Sequence, residues 1–389
     1  MKPKHPPQPL YFDNAATTRR KPPAVYKAVA DFAENLGVSN GRGAYRLGVE
    51  ANALVFEARQ ALAQLLGIPR SDRLVFTKNA TEAVNAALKG FLKSGDHVVV
   101  SGLEHNAVVR PLNRLKAERG IEWTSVTASE SGRMNPYDFE AAILPKTKLV
   151  CLAHASNVLG TLAPAEEVGE ICRRKGVAFL LDAAQTAGSV PIDVKKLNVD
   201  FLCVTGHKGL MGPTGTGALA VSPRFDPASL IEGGTGSNSD LEEQPGFWPD
   251  KFEAGTQNLW GLAGLRASAQ FLLKQGVEAV RKKEEALTAR FLEGIAGIPG
   301  LRAYGLPVGS KDRVAVVSLN LEGRDPAEVA YALDENWGVM VRAGLHCAPL
   351  AHKTLGTFPQ GTVRFSFGYY NTESEIDKAV RALREVAKA

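Results

Sequence analysis

Cysteine is scarce in this chain: Cys151, Cys172, Cys203 and Cys347 are the only four among 389 residues. No two stand at a metal-ligand spacing and together they make no disulfide framework, so reduced thiols and no metal centre are expected. Three fall in strand or helix patterns as small buried hydrophobes, whereas Cys347 lies in a loop with Gly344, His346 and Pro349 and is the one placed to react. Long hydrophobic runs are missing too, and none approaches the length that spans a bilayer. Met1 to Pro9 is polar and proline-rich, without the apolar stretch of a signal peptide, so a cytoplasmic protein with no membrane association is expected. Charge of one sign is not concentrated either. The net charge is +5, and clusters such as Arg173-Arg174-Lys175 and Arg281-Lys282-Lys283 read as solvated helix faces, which argues against a nucleic-acid partner. There is no internal repeat or low-complexity tract, and Gly212, Gly215 and Gly217 do not reproduce the dinucleotide-binding fingerprint, which argues against a nucleotide-dependent dehydrogenase.

What is present is an ordinary globular composition, 44% hydrophobic and 22% charged, in a chain longer than one core usually supports. Apolar residues recur at helical spacing from Lys21 to Gly37 and from Arg46 to Gly67. Short apolar runs then alternate with amphipathic segments. Leu74–Thr77, Val98–Ser101, Trp123–Val126, Leu149–His154, Phe179–Leu181, Phe201–Val204 and Ala218–Val221 read as strands, with helices starting near Thr81, His105 and Pro164. This rhythm predicts an α/β fold with a mainly parallel sheet of about seven strands and helices on both faces. From Glu232 to Gln257 the chain is rich in Gly, Ser, Asn, Pro and acidic residues and reads as a long loop; a helical stretch from Leu259 towards Ile295, broken near Gly276, follows. From Arg313 onward a strand, helix and strand rhythm predicts a smaller α+β domain. The expected layout is an N-terminal segment (1–20) packing with the small domain, a large α/β domain (21–260), and the small domain (261–389) carrying the Cys347 loop.

Thr205-Gly206-His207-Lys208-Gly209 places a lysine where a strand gives way to a glycine-rich loop, and another strand ends in Asp182. In open α/β sheets ligands sit beyond the carboxyl ends of the strands, so these two side chains are expected to face one crevice. A Schiff-base lysine with an acidic partner for a pyridinium nitrogen is what pyridoxal phosphate requires. Asn79-Ala80-Thr81-Glu82, between a strand and a helix, suits a phosphate or simple helix capping. His105, in the next such turn, fits either stacking on an aromatic ring or capping its helix. Asn157 sits on a polar loop after a further strand, so four strand ends converge on one edge.

With those residues in view, the sequence resembles the fold-type I pyridoxal-phosphate enzymes of the class V aminotransferase group, and within it the cysteine desulfurases. The resemblance rests on Glu104-His105-Asn106-Ala107, His154–Thr161, Asp182-Ala183-Ala184-Gln185, Gly206-His207-Lys208-Gly209 with Gly212-Pro213-Thr214-Gly215, and Phe252-Glu253-Ala254-Gly255-Thr256. Arg342-Ala343-Gly344-Leu345-His346-Cys347-Ala348 resembles the catalytic loop of the group II branch, which also contains selenocysteine lyases, and Arg364-Phe365-Ser366 its substrate-carboxylate site.

The resemblance implies pyridoxal 5'-phosphate as cofactor, with Lys208 as its Schiff-base lysine, Asp182 at the pyridine nitrogen, Gln185 at the ring oxygen and His105 stacked on the ring. It further implies a phosphate held by Ala80, Thr81, Thr205 and His207, with Thr256 contributed by the neighbouring subunit of a homodimer. Asn157 and Arg364, with Arg342 as a weaker third, would hold a substrate carboxylate, and Cys347 would take sulfur. The activity implied is conversion of L-cysteine to L-alanine with a persulfide on Cys347 that passes to a sulfur acceptor. Selenocysteine lyase or another C–S lyase activity is the alternative, and a non-catalytic scaffold a remoter one. The sequence departs from the pattern at Ala80, where many relatives carry a hydroxyl, at Tyr45 in Asn40–Arg46, and in Ala351–Thr357.

Overall fold

In the strand Thr147–Ala153, Leu149 and Cys151 belong to one hydrophobic core and Val150 and Leu152 to another, and all four are fully buried. A strand that is apolar at every position from Leu149 to Ala153 must be covered on both faces, and that requirement organises the large domain. The structure is a computed structural model that describes residues 9–41 and 43–388. The expectations for residues 1–8, for Arg42 within the Tyr45 loop segment and for Ala389 lie outside the described residues.

The chain begins with β1 (Leu10–Tyr11), which pairs with the small domain, followed by the large-domain elements α1 (Pro23–Asp31), α2 (Arg46–Leu65), β2 (Leu74–Thr77), α3 (Ala80–Phe91), β3 (His97–Ser101), α4 (Asn106–Arg119) and β4 (Glu122–Val126). It continues with α5 (Pro136–Ala142), β5 (Thr147–Ala153), α6 (Ala165–Lys175), β6 (Ala178–Asp182), β7 (Phe201–Thr205), β8 (Gly217–Val221) and α7 (Leu259–Gln275). Seven strands form the sheet in the order β2-β8-β7-β6-β5-β3-β4. The pairings among β7, β6, β5, β3 and β4 are parallel, while β8 runs antiparallel to both its neighbours. Helices α2, α6 and α7 cover one face and α3 and α4 the other.

The small domain comprises α8 (Val277–Ile295), β9 (Leu301–Ala303), β10 (Val316–Leu321), α9 (Pro326–Trp337), β11 (Val339–Met340), β12 (Arg342–Gly344), α10 (Pro349–Leu355), β13 (Thr362–Ser366) and α11 (Glu373–Lys388). Its antiparallel sheet, β12-β13-β10-β9, has its own core of Val317, Leu319, Phe365, Phe291 and Leu383, which also takes in Leu10 and Phe12. The expected division at 260/261 falls at the start of α7, yet Leu262, Leu265 and Leu272 of that helix pack in the large core. The change of core occurs inside α8, where Val280 packs with the large domain and Leu287, Phe291 and Ile295 with the small one.

The segment between β1 and α1 stitches the domains together. Strand β1 pairs with β11, Ala15 N–H donates to Ser366 Oγ (2.9 Å), and Thr18 Oγ1 donates to the Lys208 carbonyl (2.8 Å). Among the described residues no helix is long and apolar enough to cross a membrane, and no cluster of His, Cys, Asp and Glu could hold a metal ion.

Candidate active site

The parallel strands deliver their carboxyl ends to one edge, where a narrow cleft of about 80 Å³ opens. Ala80, Thr81, His105, Asn157, Asp182, Gln185, Thr205, His207 and Lys208 all line it. Each comes from a different local cause. Asn79 caps α3 by accepting from Glu82 N–H (3.0 Å), which leaves the first helical residues, Ala80 and Thr81, in the cleft wall. His105 caps α4, its Nδ1 accepting from Ala107 N–H at 3.0 Å, so it both caps and lines the cleft. Asp182 is the last residue of β6 and accepts from Ala184 N–H at 2.9 Å. Lys208 sits in the connection from β7 to β8, closed by Gly212 N–H on the Gly206 carbonyl (2.7 Å) and Met211 N–H on the Lys208 carbonyl (2.8 Å). Only glycine fits at 206, because a Cβ there would collide with Thr216.

Burial dominates the electrostatics. It lowers the Lys208 amine to about 8 together with the charges of Arg364 and Arg342, against the pull of Asp182. The same cause holds His105 and His207 at about 4, so both imidazoles are neutral at physiological pH. Burial raises the Asp182 carboxyl, while the Ala184 N–H and the Lys208 charge oppose the rise. Two buried polar atoms at the cleft have no partner: Thr205 Oγ1 and His207 Nδ1. Native structures rarely leave such groups unmet, and a phosphate oxygen beside the α3 N-terminus would satisfy them.

None of the cleft-lining residues comes from the small domain, so Arg364, Arg342 and Cys347 stand beside the cleft rather than in its wall, the two arginines acting on the Lys208 amine through their charge. Arg364 on β13 is almost fully buried, donates from Nη1 to the Asn157 carbonyl (3.0 Å) and from Nη2 to Asp13 Oδ1 (2.7 Å), and keeps a buried Nε without a partner. Arg342 lies directly opposite it in register on β12, but is exposed. The loop after β12 leaves through Gly344 at φ 106° and then carries two non-glycine residues in the left-handed region, His346 (φ 48°) and Cys347 (φ 58°). Such conformations persist where surroundings hold them. Asn157 Nδ2 donates to the His346 carbonyl (2.6 Å) and Asn106 N–H, next to His105, donates to the Cys347 carbonyl (2.8 Å). Cys347 is the exposed cysteine, the other three being buried. Thr256, by contrast, is exposed on its loop and does not line the cleft of its own chain.

Several polar residues of the site escaped the sequence reading. Glu104 is completely buried, its Oε1 accepting from Ser101 Oγ (2.5 Å) and Ala153 N–H (2.7 Å), and burial pushes it up to about 8. Its place within Glu104-His105 was visible, its burial was not. Nothing local in the sequence ties Asp13 to an arginine 351 positions away. Beneath the cysteine loop, His346 Nε2 meets Thr362 and His352 Nδ1 meets Thr357 Oγ1 (2.8 Å), so His352, within the departing stretch Ala351–Thr357, is a buried structural residue.

The cleft thus joins a depressed amine, a buried carboxylate, neutral imidazoles and a corner with unpartnered polar atoms, with a thiol loop fastened at its rim. Residues 10–379 match the family described as Aminotransferase class-V. The chain is 37% identical to a probable cysteine desulfurase of Methanothermobacter thermautotrophicus, covering 97% of this chain and 94% of that protein. It is 35% identical to a probable cysteine desulfurase of Pyrococcus abyssi, over 98% of this chain and 94% of that one. Among solved structures, the apo cysteine desulfurase of Thermococcus onnurineus superposes with a TM-score of 0.91 at 35% identity, covering 97% of this chain and 94% of that one. The Escherichia coli cysteine desulfurase CsdA, with an S-sulfonic acid, superposes at 0.86 and 27% identity, covering 98% and 95%. The fold is the expected mainly parallel α/β arrangement of these enzymes, and the chain belongs to the aminotransferase class-V family.

Proposed function

We propose that this protein is a pyridoxal-phosphate-dependent cysteine desulfurase that converts L-cysteine to L-alanine and leaves the sulfur as a persulfide on Cys347. The observation that carries the reading is the convergence of Lys208, Asp182 and His105 in one cleft, with Cys347 on a loop fastened to Asn106 and Asn157 at its rim. The unpartnered Thr205 Oγ1 and His207 Nδ1, with Ala80 and Thr81 at the α3 N-terminus, fit a phosphate. Lys208 would hold the aldehyde carbon, Asp182 the ring nitrogen, Gln185 the ring oxygen and His105 one ring face. When bound, the cofactor supplies an electrophilic carbonyl for amines and an electron sink for the substrate Cα.

The residues do the rest. Asp182 would hold a proton at the ring nitrogen, and pairing with that positive charge would keep its carboxylate ionised despite burial. Arg364 and Asn157 bind the substrate carboxylate, with Arg342 at the margin. Lys208 Nζ, lowered to about 8 so that a fraction of it is the free amine near neutrality, removes the α-proton. His105, neutral, is placed to carry a proton at the substrate sulfur. Cys347 as thiolate forms the S–S bond while the substrate Cβ–S bond breaks, its electron pair going to carbon, which is then protonated to give alanine. Atoms and electrons balance as L-cysteine plus thiol giving L-alanine plus persulfide. The persulfide passes to an acceptor thiol, and a reducing compartment such as the cytoplasm suits a protein whose working cysteine must remain a thiol.

We propose a homodimer with Thr256 of the partner subunit completing each phosphate site. Support comes from the exposed Thr256 and from an apolar stripe on and before α2, Tyr45, Val49 and Phe56, with Trp260 on α7, each more than half exposed. The test of function is to supply the holoenzyme with L-cysteine or L-selenocysteine and quantify products. Alanine with protein-bound or released sulfide supports desulfuration; pyruvate with ammonia indicates β-elimination, and turnover confined to selenocysteine indicates a lyase.

A further inference from the structure

The buried guanidinium of Arg364 is anchored at two points by groups that are not substrate. An arginine has five N–H donors. One on Nη1 is committed to the Asn157 carbonyl and one on Nη2 to Asp13 Oδ1, whereas Nε, enclosed with the rest of the side chain, has none. Asp13 is itself held by the strand that bears the arginine. It bridges Ser366, two residues beyond Arg364 on β13; Ser366 N–H donates to the Phe12 carbonyl (2.7 Å), Ala15 N–H to Ser366 Oγ (2.9 Å), and Tyr11 Oη to the Asp13 carbonyl (3.1 Å). The carboxylate therefore has little freedom to wander, and its side chain is 20% exposed against 2% for Arg364.

From this geometry we propose that Asp13 is a positioning residue that sets the plane of the Arg364 guanidinium, so that its remaining N–H donors, Nε among them, meet the carboxylate of the amino-acid substrate. A planar fork captures a carboxylate through two parallel hydrogen bonds only when its plane is fixed. Two anchors on different nitrogens fix it before substrate arrives, and the cost of ordering is then not drawn from binding. Asp13 also offsets a buried cation that faces Arg342 in register and has Lys208 among its charged neighbours. The proposal rests on the reading of the substrate as an amino acid held through Arg364.

The experiment compares wild-type holoenzyme with Asp13→Ala, Asp13→Asn and Asp13→Glu, on L-cysteine and on cysteamine, which lacks the carboxylate. It also titrates L-alanine through the absorbance of the bound cofactor. Asp13→Ala should raise KM for L-cysteine and the L-alanine dissociation constant by about tenfold, the scale of one hydrogen bond to a charged group. Its kcat should be nearly unchanged, and cysteamine should show no such penalty. Asp13→Asn, which keeps an oxygen acceptor in place, should restore binding to within about threefold, while Asp13→Glu, which moves the oxygen by a methylene, should resemble Asp13→Ala. If Asp13→Ala does not fold, the Asn and Glu variants decide the matter alone. A lower KM on removing Asp13 would mean that it competes with substrate, and an equal loss on cysteamine would mean a general structural role. An Asp13→Glu enzyme like wild type beside a defective Asp13→Asn would assign the effect to charge; each of these overturns the proposal. Wild-type inactivity on L-cysteine would instead defeat the desulfurase reading, and the L-alanine titrations would still report on carboxylate capture.

Discussion

Lys208 and Cys347 divide the proposed chemistry between an enclosed amine and an exposed thiol, and each can be removed separately. Lys208→Ala should abolish borohydride-fixed cofactor while leaving the fold intact, since the turn from Gly206 to Gly212 is closed by backbone hydrogen bonds that alanine keeps. Peptide mapping checks this, and a label on another lysine defeats the assignment. Cys347→Ser should bind cofactor and L-cysteine normally but form no persulfide, with alanine production falling on the order of 100-fold or more. Normal alanine output would move the reading to elimination chemistry. Burial lowers Lys208 to about 8 from 10.5, and only the neutral amine attacks an aldehyde. Covalent capture of the cofactor by apoprotein should therefore rise with pH and level off above about 8; a midpoint near 10.5, read from the growth of absorbance, would count against the enclosed amine. At this scale Lys208, Asp182 and His105 were legible because each stands where an apolar run ends, which is a local signal. Glu104 and Asp13 were not, since their burial and pairing depend on residues brought together only by the fold.

Helix α8 carries a different kind of polar residue. Glu284 is buried at the point where the helix passes from one core to the other, and burial raises its carboxyl to about 8 against a hydrogen bond from Ser189 and the charge of Lys283. Between about 4.5 and about 8 the folded protein holds this proton and the unfolded chain does not, so stability falls as pH rises through that window. Glu284→Gln, neutral throughout, should melt increasingly above wild type as pH is raised, reaching a gain on the order of a few kcal/mol at the top of the window. Parallel melting curves for the two proteins would show that Glu284 is ionised in the fold. The central strands and the break at Gly276 were readable because uninterrupted apolar runs and a helix-stopping glycine are strong local signals. Helix α5, seven residues behind Pro136, and the two-residue strands β1 and β11 were not, being too short to establish a period and set by tertiary contact.

The whole molecule is a large domain with a core on each face of its sheet and a small domain with a core of its own, joined by α8 and by the segment from Tyr11 to Thr18. Dimer formation belongs to this scale. Val49→Asp or Phe56→Asp places a charge on the exposed stripe of α2 and should yield monomers in sedimentation, with weaker cofactor retention because Thr256 of the partner subunit is lost. A monomer that retains cofactor as tightly as wild type would refute the shared site. The stitching segment bears on how the protein is made as well as on what it does. Asp13 meets Arg364 across 351 positions, and β1 lies against β11. During translation, domains fold as they emerge, so the seven-stranded sheet is complete long before β13 leaves the ribosome. Until then Asp13 to Ala15 has no Ser366 to bond to, and a nascent chain can bury its large core before the pair of Asp13 and Arg364 exists. On the proposed role of Arg364, competence for substrate arrives late and all at once, when the last strand closes on one of the first segments made.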